Sequence, residues 1–129
     1  MADVNRGKRP LSPHLTIYHM AITMFVSIVN RITGVGLSVP AIMVVIWLTS
    51  AAMGPETFKL TSGLMTHWIA IAIWIGSIWA LWFHFLGGLR HIYMDFGHGY
   101  DLRTVNATGW AVVIGSFVLA IITVWLLML

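Results

Sequence analysis

The sequence predicts an all-α membrane protein with three transmembrane helices. Of its 129 residues, 59% are hydrophobic and only 9% are charged, whereas a soluble domain carries about 25% charged residues. The mean hydropathy is +0.89. Asp, Glu, Lys and Arg are absent from residues 32–55, 60–89 and 104–129. Each window exceeds the ~20 residues that cross a bilayer, so we expect one span in each. Because the three spans use most of the chain, we expect them to form one transmembrane domain over residues 1–129.

The chain opens with a polar lead-in, residues 1–21, which precedes the first apolar run. Its prolines, Pro10 and Pro13, favour an extended path, while Leu15 and Tyr18 add apolar surface. Two interpretations stay open. The segment lies on the membrane surface, or it is a docking strip for a soluble partner.

The first helix is predicted over residues 22–52. Pro40 lies in its interior, where the missing N–H leaves the carbonyl of Gly36 without its helical donor, so we expect a kink. Gly34 and Gly36 are small enough for another backbone or a cofactor to approach this part of the helix closely.

Two further helices complete the domain. A Gly-Pro pair ends the first helix, and residues 54–61 are predicted to form a short loop. The second helix is expected over residues 62–92, which is long enough to tilt in the bilayer. A loop over residues 93–105 and a third helix over residues 106–128 follow.

Basic residues set the predicted orientation of the spans. They concentrate before the first span and around the loop between the second and third spans, so the positive-inside rule places the N-terminus in the cytoplasm. This asymmetry accounts for the net charge of +3, and we expect no nucleic-acid partner. No transit peptide is expected, which favours a bacterial inner (cytoplasmic) membrane over a mitochondrial inner membrane.

His84 is the leading candidate for chemistry. It is an ionisable imidazole inside a predicted span, where such groups are costly and are functional by default. Gly87 and Gly88 follow one turn later and leave the same helix face bare. A flat group such as haem fits such a face, with His84 as an axial ligand of its iron. The alternative is a histidine that only packs between helices.

Ser27 and Arg31 lie four residues apart on one face of the first helix. A hydroxyl and a guanidinium on one face suit a haem propionate or a quinone carbonyl. At 1.5 Å per residue, His84 lies roughly 9 Å inside Arg90, at a depth comparable to that of Arg31. The alternative is that Arg31 extends to the lipid headgroups and Ser27 bonds its own helix backbone.

His91 follows His84 by seven residues and shares its helix face. At the membrane edge it suits a contact with a propionate or a place in a proton path, and the alternative is an ordinary interfacial histidine.

The second axial ligand of a six-coordinate haem is expected from another chain. The other histidines belong to cytoplasmic segments (His14, His19, His98) or to the opposite end of the second helix (His67). Methionine is not excluded, but no methionine of the spans is clearly at the right depth, among them Met24, Met43 and Met65. Haem would then be shared at a subunit interface.

Three stretches resemble a known family: RPLSPHLTIY at residues 9–18, SIVNRITG at 27–34 and HFLGGLRHIYMDFG at 84–97. With the order, spacing and hydropathy of the three helices, they resemble the cytochrome b membrane-anchor subunit of succinate dehydrogenase, respiratory complex II. The resemblance covers essentially the whole chain. It implies pairing with a second small three-helix anchor subunit, the two carrying a flavoprotein subunit and an iron–sulfur subunit on the cytoplasmic side.

The resemblance also implies roles for individual residues. His84 matches the ligand of haem b, whose other ligand is a histidine of the second anchor. Ser27 and Arg31 match quinone-site positions, and Arg31 lies close to the haem propionates. Electrons from succinate pass through FAD and iron–sulfur clusters in the other subunits to ubiquinone, so this chain alone is not expected to be catalytic. The absence of cysteine agrees with clusters held elsewhere.

One position departs from the family pattern. Asn30 stands where the family often has histidine, and an amide can donate a hydrogen bond but cannot titrate. Asp95 matches a family acid near the quinone side. Three other functions stay open: a fumarate reductase anchor using menaquinol, a haem-free structural membrane adaptor, and a small transporter with His84 in a proton path.

Overall fold

The structure, a computed structural model, describes residues 18–129, and all regular secondary structure in this range is helical. Three of its segments are long and apolar enough to span a membrane, which confirms the predicted all-α membrane fold. Residues 9–17 of the first motif and most of the lead-in, with His14, lie outside the described residues. The helices are α1 (Ile22–Gly36), α2 (Ser38–Met53), α3 (Pro55–Met65), α4 (Trp68–Asp95) and α5 (Leu102–Leu127).

The first span is divided into α1 and α2 at Leu37. This residue keeps right-handed helical dihedral angles, and its N–H donates to the carbonyl of Thr33 at 2.9 Å. Pro40 follows three residues later with no N–H to donate, so the carbonyl of Gly36 lacks its helical partner. Helical hydrogen bonding is therefore interrupted where the sequence predicts a kink, within one span of 32 residues.

The connection between the first and second spans differs from the prediction. Residues Pro55–Met65 form α3 instead of a loop over 54–61, and the second span begins at Trp68 rather than near 62. Pro55 starts α3 because a first-turn residue needs no N–H partner within the helix. A cross-helix hydrogen bond holds α3 beside α2, since Trp47 Nε1 donates to Ser62 Oγ at 3.1 Å. Local sequence patterns give no sign of this contact.

The third span begins at Leu102 rather than at 106, and α4 runs to Asp95 rather than to 92. Asp101 is the reason for the early start of α5, because its Oδ2 accepts the N–H of Thr104 at 2.9 Å and so caps the helix. The intervening loop turns on two glycines with positive φ, Gly97 at 80° and Gly99 at 75°, a conformation that favours glycine.

The buried core lies where α4 packs against both α1 and α5. One fully or nearly fully buried residue comes from each span: Val26, Phe83 and Val112. Gly109 lets α5 approach α1 closely, since a Cβ there would lie 3.3 Å from Cγ1 of Ile22. The packing of α4 against α1 brings His84 next to the backbone of Asn30.

Most of the large apolar side chains outside this core are exposed, on every span. Val35, Leu81 and Ile121 are examples. In a bilayer such surface faces lipid tails or another membrane helix, so it carries no hydrophobic penalty. The small core and the large apolar exterior therefore both fit a chain whose helices are surrounded by lipid or by other membrane helices.

We expect Asp101→Ala to loosen the first turn of α5 and Asp101→Asn to leave it intact, because asparagine also caps helices. The bond from the Thr104 N–H lowers the pKa of the Asp101 carboxyl. A carboxyl with a lowered folded-state pKa stabilises the fold above its unfolded pKa, and this contribution is lost as the pH falls through the lowered value. Hydrogen-exchange protection of residues 102–105 in detergent, at neutral and acidic pH, measures both effects. Equal protection in Asp101→Ala and Asp101→Asn at neutral pH would contradict the cap.

Candidate functional site

His84 is held against the backbone of α1. Its Nδ1 lies 2.9 Å from the carbonyl oxygen of Asn30. Because a carbonyl only accepts, Nδ1 must carry the hydrogen, and neutral His84 then keeps an unprotonated lone pair on Nε2. No described residue is hydrogen-bonded to that Nε2. The tautomer of the half-buried ring is thus fixed, and Nε2 is the nitrogen that stays available to a ligand.

A glycine makes room for this ring. A Cβ at Gly34 would lie 2.8 Å from Cε1 and 3.2 Å from Nδ1 of His84. The close approach that the sequence predicts at Gly34 is therefore the approach of His84 from α4. Gly36, two residues on, has open space around its Cβ position.

The predicted bare face at Gly87 and Gly88 is only half correct. Gly87 is buried against the side chain of Asn30, whose Oδ1 would clash with an added Cβ. It therefore serves helix packing and is not open to a flat group. Gly88 has open space around it. The sequence could not separate the two glycines, because α1 covers only one of them.

The side chain of Asn30 is itself unusual. Its Oδ1 is buried and has no hydrogen-bond partner in the described part of the chain. A buried amide oxygen without a donor costs about 1–3 kcal/mol. The Asn30 side chain thus points into the contact between α1 and α4 near His84.

Ser27, Arg31 and His91 line one cavity of about 550 Å³. The first two come from α1 and the third from α4. The remaining residues of the lining are Thr23, Met24, Ile28, Arg90, Met94 and Val105. His84 is not among them, but it is bonded to the residue that precedes Arg31.

Arg90 is a charged residue of this cavity that was not predicted as a site residue from the sequence. It is only 8% exposed, and its Nε donates to Thr108 Oγ1 of α5 at 3.2 Å. Thr108 is fixed in turn, because its hydroxyl donates to the carbonyl of Thr104 at 2.9 Å. Sequence reasoning treated Arg90 as a loop-flanking charge, since its burial depends on the packing of α5.

The cavity has a single sign of charge. Two guanidiniums and an imidazole line it, and no acidic residue is among its described lining. Asp95, matched to a family acid near the quinone side, is exposed and lies outside this lining. In a low-dielectric surrounding such a cavity favours a carboxylate or an oxygen that gains negative charge.

Other candidate ligands lie apart from His84. Met65 lines a separate cavity of about 370 Å³ with Trp47 and Trp74, and Met24 lines the basic cavity. Within residues 18–129 no three His, Cys, Asp or Glu side chains converge as a metal-ligand group. In the described residues, His84 is therefore not part of such a group.

Residues 5–123 match the family described as succinate dehydrogenase/fumarate reductase transmembrane subunit. The chain belongs to this family. It is 42% identical over 123 residues, covering 95% of each chain, to the succinate dehydrogenase cytochrome b556 subunit of Paracoccus denitrificans. The subunit of the same name from Rickettsia conorii is 35% identical over 90% of each chain.

A more distant member of the succinate dehydrogenase/fumarate reductase family is similar over nearly the same length. The succinate dehydrogenase cytochrome b560 subunit of Reclinomonas americana is 29% identical over 92% of this chain and 85% of its own. These relatives support a cytochrome b anchor subunit of succinate dehydrogenase, and such a subunit associates with the other subunits of complex II. The three apolar helices accord with a membrane anchor, and the Paracoccus and Rickettsia relatives are bacterial.

We expect Thr108→Val to cost about 2 kcal/mol of stability, because it removes the partner of a buried, charged guanidinium. Thr123→Val is the control. It removes the acceptor of a neutral bond from Trp82 Nε1, 2.9 Å long, between the same two helices, and should cost about 1 kcal/mol. Denaturant unfolding of the full chain in detergent compares the two variants, and equal losses would contradict the special role of Arg90.

Proposed function

We propose that this chain is the haem b-binding anchor subunit of succinate dehydrogenase and helps to form its ubiquinone-reduction site. The observation that carries the proposal is the fixed His84 ring, with its free Nε2, beside a cavity of uniformly basic character. The names of the relatives, cytochrome b subunits of succinate dehydrogenase, support the same function.

The residues fit haem b. His84 offers Nε2 to the iron, and its Nδ1 is already engaged by a backbone carbonyl, as is usual for metal-bound histidines. Arg31 and His91 line one cavity, and the Arg31 guanidinium would bind a propionate. When bound, haem supplies a one-electron redox centre. The second axial ligand would come from the second anchor subunit, across the apolar surface that this chain exposes.

The basic cavity fits the chemistry of quinone reduction. A quinone that gains electrons develops negative charge on its oxygens. The Ser27 hydroxyl and the Arg31 guanidinium line one wall of the cavity and can stabilise that charge without reorganising. Arg90, held by Thr108, adds a second positive charge to the same cavity. His91 lines the same cavity, and its imidazole is the side chain there that suits general acid–base chemistry.

The remaining chemistry belongs to other subunits. FAD and iron–sulfur clusters would reside in the flavoprotein and iron–sulfur subunits, since this chain has no cysteine. They would sit on the cytoplasmic side of a bacterial inner membrane, at the end of the spans that carries Arg31 and Arg90. The chain is then non-catalytic alone. The family description covers fumarate reductase as well, but the relatives reported above are succinate dehydrogenase subunits.

We expect the reduced-minus-oxidised spectrum of the detergent-purified native complex to carry a b-type haem signal that His84→Ala abolishes, because the iron loses an axial ligand. His67→Ala is the matched control, a histidine at the opposite end of the same span, and it should keep the signal. An intact wild-type complex without a b-type signal would favour a haem-free adaptor, and a signal that survives His84→Ala would remove the ligand role.

We expect Arg31→Leu to lower succinate:ubiquinone reductase activity by about 10²-fold or more, the cost of removing one charge-stabilising donor. Oxidation of succinate by an artificial dye should survive, because it does not use the quinone site.

Arg103→Leu is the control for Arg31→Leu, since Arg103 is exposed on α5 and does not line the cavity. It should retain both activities. Parallel loss of dye reduction and quinone reduction in Arg31→Leu would indicate an assembly defect and argue against a quinone-site role.

A further inference from the structure

We propose that Gly34 is a positioning residue for the haem ligand, because its missing side chain lets the His84 ring reach the backbone carbonyl of Asn30. That carbonyl then fixes the tautomer and the orientation of the ring and raises the basicity of Nε2. The inference rests on the proposed haem-ligand function of His84 and deepens it.

The first observation is steric. The Cβ position of Gly34 lies 2.8 Å from Cε1 and 3.7 Å from Nε2 of His84. A real Cβ essentially never comes within 3.0 Å of a heavy atom, so any larger residue must push the ring away. The nearest ring atom, Cε1, is covalently bonded to Nδ1, and Nδ1 is the atom that hydrogen-bonds to the carbonyl of Asn30. A displaced ring would therefore lengthen or break that 2.9 Å bond.

The second observation is a close contact between α1 and α4 at the side chain of Asn30. Gly87 of α4 lies directly under the side chain of Asn30, the residue whose carbonyl receives His84. A glycine of each helix thus faces a functional or polar side chain of the other. Because Gly34 and Gly87 have no side chains, the helices lie close enough for the backbone of Asn30 to come within hydrogen-bond distance of the His84 imidazole.

The acceptor is a backbone group, and this has a chemical consequence. The carbonyl of Asn30 also accepts from Thr33 Oγ1 at 3.0 Å, so it is held in a local network. An imidazole that donates Nδ1–H to a fixed acceptor is a stronger ligand through Nε2. The bond uses the backbone at position 30 and does not depend on the Asn30 side chain.

The chain provides a matched control for this contact. Gly36 lies on the same segment, and nothing comes within 4 Å of its Cβ position. Gly34→Ala and Gly36→Ala change helix propensity and backbone entropy in the same way. Any difference between them therefore reports the contact with His84.

The test uses the purified native complex carrying wild-type chain, Gly34→Ala, Gly36→Ala or His84→Ala. We measure haem content, the midpoint potential of the b-type signal and its low-spin electron paramagnetic resonance spectrum. Gly34→Ala is expected to weaken haem retention by about 10- to 100-fold, the usual effect of losing a partner of a metal-bound histidine. Its remaining signal should show a higher midpoint potential, because a weaker nitrogen donor stabilises the ferric state less. Gly36→Ala should match wild type.

The outcomes separate this inference from the proposed function. If the wild-type signal is lost in His84→Ala but Gly34→Ala matches Gly36→Ala in haem content, potential and spectrum, the positioning role is overturned and the ligand role stands. A wild-type complex without the signal, or a signal that survives His84→Ala, overturns both.

A Gly34→Ala variant that does not assemble is resolved by the double variant Gly34→Ala/His84→Ala. If the double variant assembles as well as His84→Ala, the clash is with the imidazole and the inference is supported. Failure of the double variant, when His84→Ala assembles, places the clash elsewhere and overturns it.

Discussion

The hydrogen bond between His84 Nδ1 and the carbonyl of Asn30 is the interaction around which the site is organised. It joins α1 to α4 at 2.9 Å and exists only because Gly34 leaves space for the ring. A donor–acceptor pair inside the membrane has no water to replace it. The same bond therefore ties two spans together and sets which nitrogen of the imidazole remains free.

Basic side chains lie close to this bond, around one cavity. Arg90 is almost completely buried, and the packing of α5 supplies its partner Thr108. Arg31 and His91 join it around one cavity. A cavity lined by two guanidiniums and an imidazole, with no acidic residue in its described lining, favours an anionic ligand. This arrangement of charge supports the proposed binding site.

Outside this site, the chain has a small core and a large apolar surface. Its core is limited to a few residues such as Val26, Phe83 and Val112, while large apolar side chains cover the outer faces of the spans. Such apolar outer faces suit a subunit that packs against other membrane helices. The family to which the chain belongs, a transmembrane subunit of succinate dehydrogenase or fumarate reductase, accords with this design.

The sequence by itself determined the three spans, the interruption near Pro40 and the candidates Ser27, Arg31, His84 and His91, because hydropathy, missing donors and ionisable groups within apolar runs are local properties. The tertiary structure decided the rest. It made α3 a helix beside α2, separated Gly87 from Gly88 and drew Arg90 into the cavity. Each of these depends on which helix covers which face, and that choice is fixed by packing between residues distant in sequence.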